Sequence, residues 1–137
     1  MVAAVKYYCA AEDLAEGVHD WDTHTLKIGL TNTAPDLTDT TLSDINEITA
    51  GNGYSAGGAT VTVSSSSQTT GLYKLIVSNV TFTASGGSIA TFRYVVLYNA
   101  TANRLIQYWD SGSNTTVTNG NTYTCTFDGS NGVIQIQ

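Results

Sequence analysis

A single, mainly β, antiparallel β-sandwich or jelly-roll-like domain with a short N-terminal helix or arm is the fold this sequence predicts, and three observations carry the prediction. Apolar residues recur mostly with a period of two, as in strands that bury one face. The runs are short and are separated by turn residues at Ser85-Gly86-Gly87, at 99–103, at 111–114, at Asn119-Gly120 and at 128–131. Such spacing suits hairpins rather than βαβ units. Composition agrees: Thr occupies 22 positions and only 12% of residues are charged, against about 25% in an ordinary soluble domain, and threonine fits a pleated surface. A chain of 137 residues makes one domain that buries roughly two thirds of its unfolded surface. The reading divides it into a helix or arm at 1–22 and a β-sandwich at 23–137.

Residues 7–18 have the helical character. Leu14 and Val18 stand four apart, Ala10 and Ala11 are good helix formers, and Gly17 followed by residues 19–22 marks a stop. About three turns with so weak an apolar face need a docking partner, either the sheet or another subunit. A partly extended arm competes with the helix. Val2, Val5, Tyr7, Tyr8 and Leu14 offer apolar surface without the alternation of a strand, which favours an arm ordered by a neighbour. On that reading a chain beginning near Asp22 stays folded.

After Asp22 the period becomes two: Leu26, Ile28 and Leu30 take one face, Lys27, Gly29 and Thr31 the other, and Pro35 closes the strand. Residues 36–58 then make a long excursion holding Leu37, Leu42, Ile45 and Ile48, followed by Gly51, Gly53, Gly57 and Gly58. A connection of that length is more often functional or interfacial than idle. Val61 and Val63 resume the alternation, 64–71 reads as a polar loop, and strands are predicted over 72–84, 88–98, 104–109, 115–118, 121–127 and 132–137. Within 89–98 both parities are apolar, with Ile89, Val95 and Leu97 on one face and Phe92, Tyr94, Val96 and Tyr98 on the other. This describes a central strand covered twice. The second cover is either the second sheet with the N-terminal helix or, on the aromatic face, a neighbouring subunit.

Residues able to carry chemistry do not stand at catalytic or ligand spacing, and neither an enzyme nor a metal or other cofactor is expected. His19, Asp20, Asp22 and His24 cluster around Trp21, yet they match neither HExxH nor an EF-hand and read as a solvated connection. Asp36, Asp39, Asp44 and Glu47 suit turn capping, with Thr41 or Ser43 ahead of LSDINEI; the Gly-anchored calcium spacing is missing. Ser64 to Ser67 lack a GxSxG elbow, and GNG at 51–53 and SGGS at 85–88 lack phosphate-loop context. Cys9 and Cys125 lie far apart without a CxxC and read as reduced thiols, Cys125 inward with Tyr123 and Phe127. The N-x-Thr sequons at Asn79, Asn99 and Asn114 read as turn or strand-edge sequences.

The formal charge of −6 and the scattering of Lys6, Lys27, Lys74, Arg93 and Arg104 argue against a nucleic-acid partner. No run approaches the roughly 18 to 20 apolar residues of a membrane span, and residues 1–17 reach acidic residues too soon for a secretory signal. A product made in the cytoplasm, without a membrane partner, is expected. Trp21, Tyr54, Tyr73, Tyr108 and Trp109 could stack on sugar rings. A carbohydrate-binding module is therefore the rival reading, although aromatics in β proteins more often fill cores or subunit interfaces.

The succession LKIGLTNTAP, LSDINEI and AGNGYSAGG within 26–58, followed by VTFTASGGSIATFRYVVLYN and the closing GVIQIQ, resembles a family of small virion proteins of tailed bacteriophages and prophages. The resemblance covers nearly the whole chain. It implies a structural role, best fitted by a capsid decoration, or cement, protein on the outer capsid surface, with a tail or neck component as the alternative. Such a protein binds the major capsid protein as a symmetric homo-oligomer, expected to be a trimer, and stabilises the assembled shell by mass action. Capsid contacts are then expected at Lys6, Tyr7, Tyr8, Leu14, Asn52, Tyr54 and Gly58, and the subunit interface at Phe92, Tyr94, Val96 and Tyr98.

Overall fold

The computed structural model describes residues 3–137, so Val2 lies outside the described residues. The chain enters through β1 (Val5–Lys6) and α1 (Cys9–Ala15), and β2 (Leu26–Thr31) leads into the long excursion, where a 3-10 turn spans Leu42–Asp44. Strands follow as β3 (Ala59–Val61), β4 (Val63–Thr69), β5 (Leu72–Val77), β6 (Val80–Thr83), β7 (Phe92–Asn99), β8 (Arg104–Thr115), β9 (Thr122–Cys125) and β10 (Ile134–Ile136). They form a five-stranded sheet of order β1-β8-β7-β2-β3, a three-stranded sheet β10-β5-β4 and the pair β6-β9. All pairings are antiparallel, giving the mainly β, sandwich-like domain that the sequence predicts. Among the described residues no helix is long and apolar enough to cross a membrane.

The main core fills the space between the sheets. Leu26, Ile28 and Leu30 of β2, Val95 and Leu97 of β7 and Ile106 of β8 share it with Leu75, Val77, Val80, Phe82 and Cys125 from the smaller sheets. A second cluster, Tyr7, Ile45, Val96, Tyr98 and Leu105, lies across β7 and β8. Its cover comes from the N-terminal segment and from the excursion. Val95, Val96 and Leu97 are consequently all fully buried, each contributing about 1.5 to 3 kcal/mol at ~25 cal/mol per Å². Phe92 departs from its expected face. Phe92 packs in the main core with Val95 and Leu97, beside a register shift between the pairs Phe92–Thr115 and Tyr94–Asp110 whose extra residues lie on β8.

Of the two readings of 1–22, a helix or an arm, the described residues carry the short helix, and Val5–Lys6 joins the sheet. Val5 pairs with Tyr108 and Lys6 with Gln107, the Tyr7 N–H donates to the Ile106 carbonyl at 3.1 Å, and the Tyr8 N–H donates to Leu37 at 3.0 Å. Two residues of pairing are too short to show an alternation. The helix is Cys9–Ala15, shorter than 7–18, and it is tied down by charge: Arg104 donates to both Asp13 carboxylate oxygens, at 2.7 and 3.0 Å. Asp13 is 5% exposed, so this bidentate pair is largely withdrawn from water.

Three further boundaries differ. Residues 64–71 do not form a loop, because β4 runs through the serines and pairs with β5 after a bulge between Val63 and Ser65. The hydroxyls satisfy one another and their neighbours, Ser65 with Ser67 at 3.0 Å and Ser66 with Tyr73 at 2.9 Å, so this polar strand has no need of an apolar face. The run 72–84 breaks at Ser78-Asn79 into β5 and β6, which belong to different sheets. Residues 111–114 lie inside β8 rather than separating two strands.

Replacing Tyr7 by Ala should lower unfolding stability by about 3 to 4 kcal/mol, the usual cost of removing a buried aromatic ring. Tyr8→Ala, at a residue 69% exposed, should stay within about 0.5 kcal/mol, and chemical denaturation measures both. A chain beginning at Asp22 should fail to fold cooperatively, since it loses Tyr7, Ala10, Asp13 and Trp21 from buried positions.

Candidate functional site: the groove between the first helix and the last strand

α1 packs against β8 of the five-stranded sheet, and β10 forms one edge of the three-stranded sheet. Between them is an apolar groove of about 270 Å³ lined by Lys6, Ala10, Leu14, Trp21, Ile106, Ile134 and Ile136 among others. Of the expected contact residues, Lys6 and Leu14 reach it. Tyr8 also projects to solvent, whereas Tyr7 is 2% exposed and belongs to the second core. Tyr7 therefore supports the surface from beneath.

The glycine-rich loop is not a free contact surface either. The buried Tyr54 hydroxyl donates to Glu47 Oε1 at 2.5 Å and accepts the Leu30 N–H at 3.0 Å. Glu47 also accepts the Gly57 N–H at 2.6 Å, and the Tyr98 hydroxyl donates to the Gly57 carbonyl at 2.6 Å. Burial, then the Glu47 hydrogen bond, pushes the Tyr54 phenol up; burial and Glu47 push Tyr98 up to about 12. Gly58 is required by packing, because a Cβ there would sit 1.8 Å from the Ile28 carbonyl oxygen at φ +74. Tyr54 and Gly58 thus hold the excursion to β2. Asn52 is exposed, but its amide donates to the Ser88 carbonyl at 3.0 Å, pinning the next loop.

Most of the residues expected at the subunit face are covered within the chain. Phe92 and Val96 are fully buried and Tyr98 is 3% exposed; of that set Tyr94 is the half-exposed member. Tyr94 meets Tyr108 edge-on, with centroids 6.1 Å apart, and Tyr108 lies opposite Val5, itself 39% exposed. Val5, Tyr108 and Tyr94 form the apolar strip left on that face.

The His19–His24 segment is more ordered than a solvated connection. Asn99, fully buried on β7, receives the Ala102 N–H on Oδ1 and directs Nδ2 to His19 Nδ1 at 3.1 Å and His24 Nδ1 at 2.9 Å. Both rings accept at Nδ1, which leaves their protons on Nε2. Burial lowers the His19 pKa below the ordinary 6.5; Asp13 opposes that effect, and nearby His24 and Arg104 add to it. Sequence could not reveal Asn99 as the organiser, because it lies 75 or more residues from its partners. Among the described residues no three His, Cys, Asp or Glu side chains gather closely enough to hold a metal ion. Cys9 and Cys125 are both free, and burial raises the Cys125 thiol to about 12.

The aromatic residues considered for sugar stacking are mostly enclosed. Trp21, Tyr54 and Trp109 are 6%, 2% and 7% exposed, and Trp21 stacks on His19 and Tyr73 at centroid distances of 5.7 and 6.2 Å. What the fold and the groove define is a small β-sandwich with an apolar groove beside its helix. Compared with protein-family models, with curated proteins and with solved structures, the chain matches none.

The sign of the His19 shift gives a pH dependence. Below pH 6.5 the unfolded chain takes up a proton that folded His19 resists, so the contribution is full above that pH and lost as pH falls through the lowered folded pKa. Unfolding stability measured from pH 7 to 5 should therefore decline. His19→Gln should flatten this decline while the unfolding transition remains cooperative.

Proposed function

We propose that the chain is a structural protein of a tailed-bacteriophage virion, a capsid decoration protein that binds the major capsid protein from the outer surface as a symmetric homo-oligomer. The observation that carries the reading is the unfilled apolar groove beside α1, reached by Lys6 and Leu14 of the expected shell-contact set. Tyr8, 69% exposed, extends the surface available to the shell. The sequence resemblance supplies the virion context. Val5, Tyr108 and Tyr94 make the apolar strip that supports self-association, with a trimer as the proposed order. Low charge supports contacts made by apolar burial, since exposed ion pairs contribute only about 0 to 1 kcal/mol each.

Binding to assembled shell but not to free subunits stabilises the shell by mass action. In a titration of undecorated capsids, Leu14→Glu should weaken occupancy by about tenfold or more, because it places a charge in an apolar contact. Unchanged occupancy would remove this face from the contact. Sedimentation in rising salt should leave the oligomer intact and Tyr94→Asp should dissociate it; dissociation of the unaltered chain by salt would contradict an apolar interface. Imaging of the intact virion decides between shell and tail, since decoration repeats over the capsid lattice.

A further inference from the structure

The groove beside α1 continues into a second, shallower one of about 490 Å³, and the two share Leu14, Trp21 and Ile136. Apolar side chains dominate the first: Ala10, Ala15, Ile106 and Ile134 join the shared residues. Charge is divided along the pair, with Lys6 lining only the first groove and Asp20 and Asp22 only the second. Trp21 stands at the junction of the two and is 6% exposed.

We propose that the double groove binds an extended segment of a partner polypeptide, seating apolar side chains between α1 and β10 and a lysine or arginine against Asp20 and Asp22. The proposal rests on the reading of this face as a protein contact surface and assigns its ligand chemistry. Apolar walls select apolar side chains. The carboxylates at the far end select a cation. A second copy of this chain is a poor match, since its formal charge is −6 and it has only five basic residues. Glycans fit less well, because the first groove offers few polar groups to sugar hydroxyls and the Trp21 ring is stacked on His19 and Tyr73.

The test titrates the full chain with a fluorescently labelled peptide of sequence Lys-Val-Thr-Val-Thr-Val, blocked at both ends, and with the same peptide carrying Glu for Lys. Saturable binding is expected for the lysine peptide, about tenfold or more tighter than for the glutamate peptide. Ile136→Asp should weaken it by a similar factor, and Asp22→Lys should reverse the charge preference. Both substitutions fall at exposed positions, so thermal unfolding should stay close to that of the unaltered chain. Absence of saturation, equal affinity for the two peptides, or indifference to Ile136→Asp would overturn the proposal. So would saturable binding of neutral oligosaccharides in place of peptide, or a self-association that Ile136→Asp abolishes. Capsid occupancy is measured separately: if the unaltered chain binds peptide but not shells, the virion reading fails and the groove assignment stands, whereas shell binding without peptide binding overturns the groove assignment alone.

Discussion

Two-sided burial of β7 is the constraint on which the rest of the structure depends. A strand with Val95, Val96 and Leu97 all withdrawn from water needs an apolar layer on each side of its sheet. The smaller sheets cover one face. Among the described residues no further sheet covers the other, and the N-terminal segment and the long excursion do so instead: Tyr7 and Ile45 close over Val96, Tyr98 and Leu105. Segments that resemble a tail and a loop therefore belong to the folding unit.

Irregular chain can serve as a layer only if its backbone polar groups are satisfied. Glu47 and its partners meet that need in the excursion. Its carboxylate takes the Tyr54 hydroxyl and the Gly57 N–H, Tyr98 reaches out of the sheet to Gly57, and the Ile48 N–H donates to the Leu30 carbonyl at 3.0 Å. Thr31 adds a hydroxyl that donates toward the Ile45 and Asn46 carbonyls at 2.7 and 2.8 Å. The two bonds accepted by the Glu47 carboxylate are charge-assisted and roughly twice as strong as neutral ones, and together with the neutral bonds they hold the excursion against β2 and β7 without a regular ladder. Gly58 permits the approach to Ile28 that these bonds require.

Committing so much of the chain to the core limits what remains for a partner. Tyr7, Tyr54, Gly58, Phe92, Val96 and Tyr98 all have internal roles, and the accessible apolar surface moves outward to Tyr8, Leu14, Ile136 and the Val5–Tyr108–Tyr94 strip. Residues of α1, β8 and β10 line the groove. The buried polar groups, Asn99 with its histidines and Asp13 with Arg104, are engaged in holding the N-terminal segment to the sheet.

Local periodicity and turn chemistry determined the antiparallel β class, the double-sided character of β7, the short helix near the N-terminus and the inward face of Cys125. These are legible in a sequence because they depend on neighbours one to four residues away. What the tertiary structure decided depends on residues far apart in the chain. The two-residue pairing of β1 with β8, the register shift beside Phe92, the strand built from serines and the Glu47 clasp leave no periodic signal. Likewise Asn99 and Ile136 acquire their places only when separate elements close on one another. An apolar side chain reads the same in sequence whether its cover comes from its own chain or from a partner, and for Tyr7, Phe92 and Val96 only the folded path of the chain shows that the cover is its own.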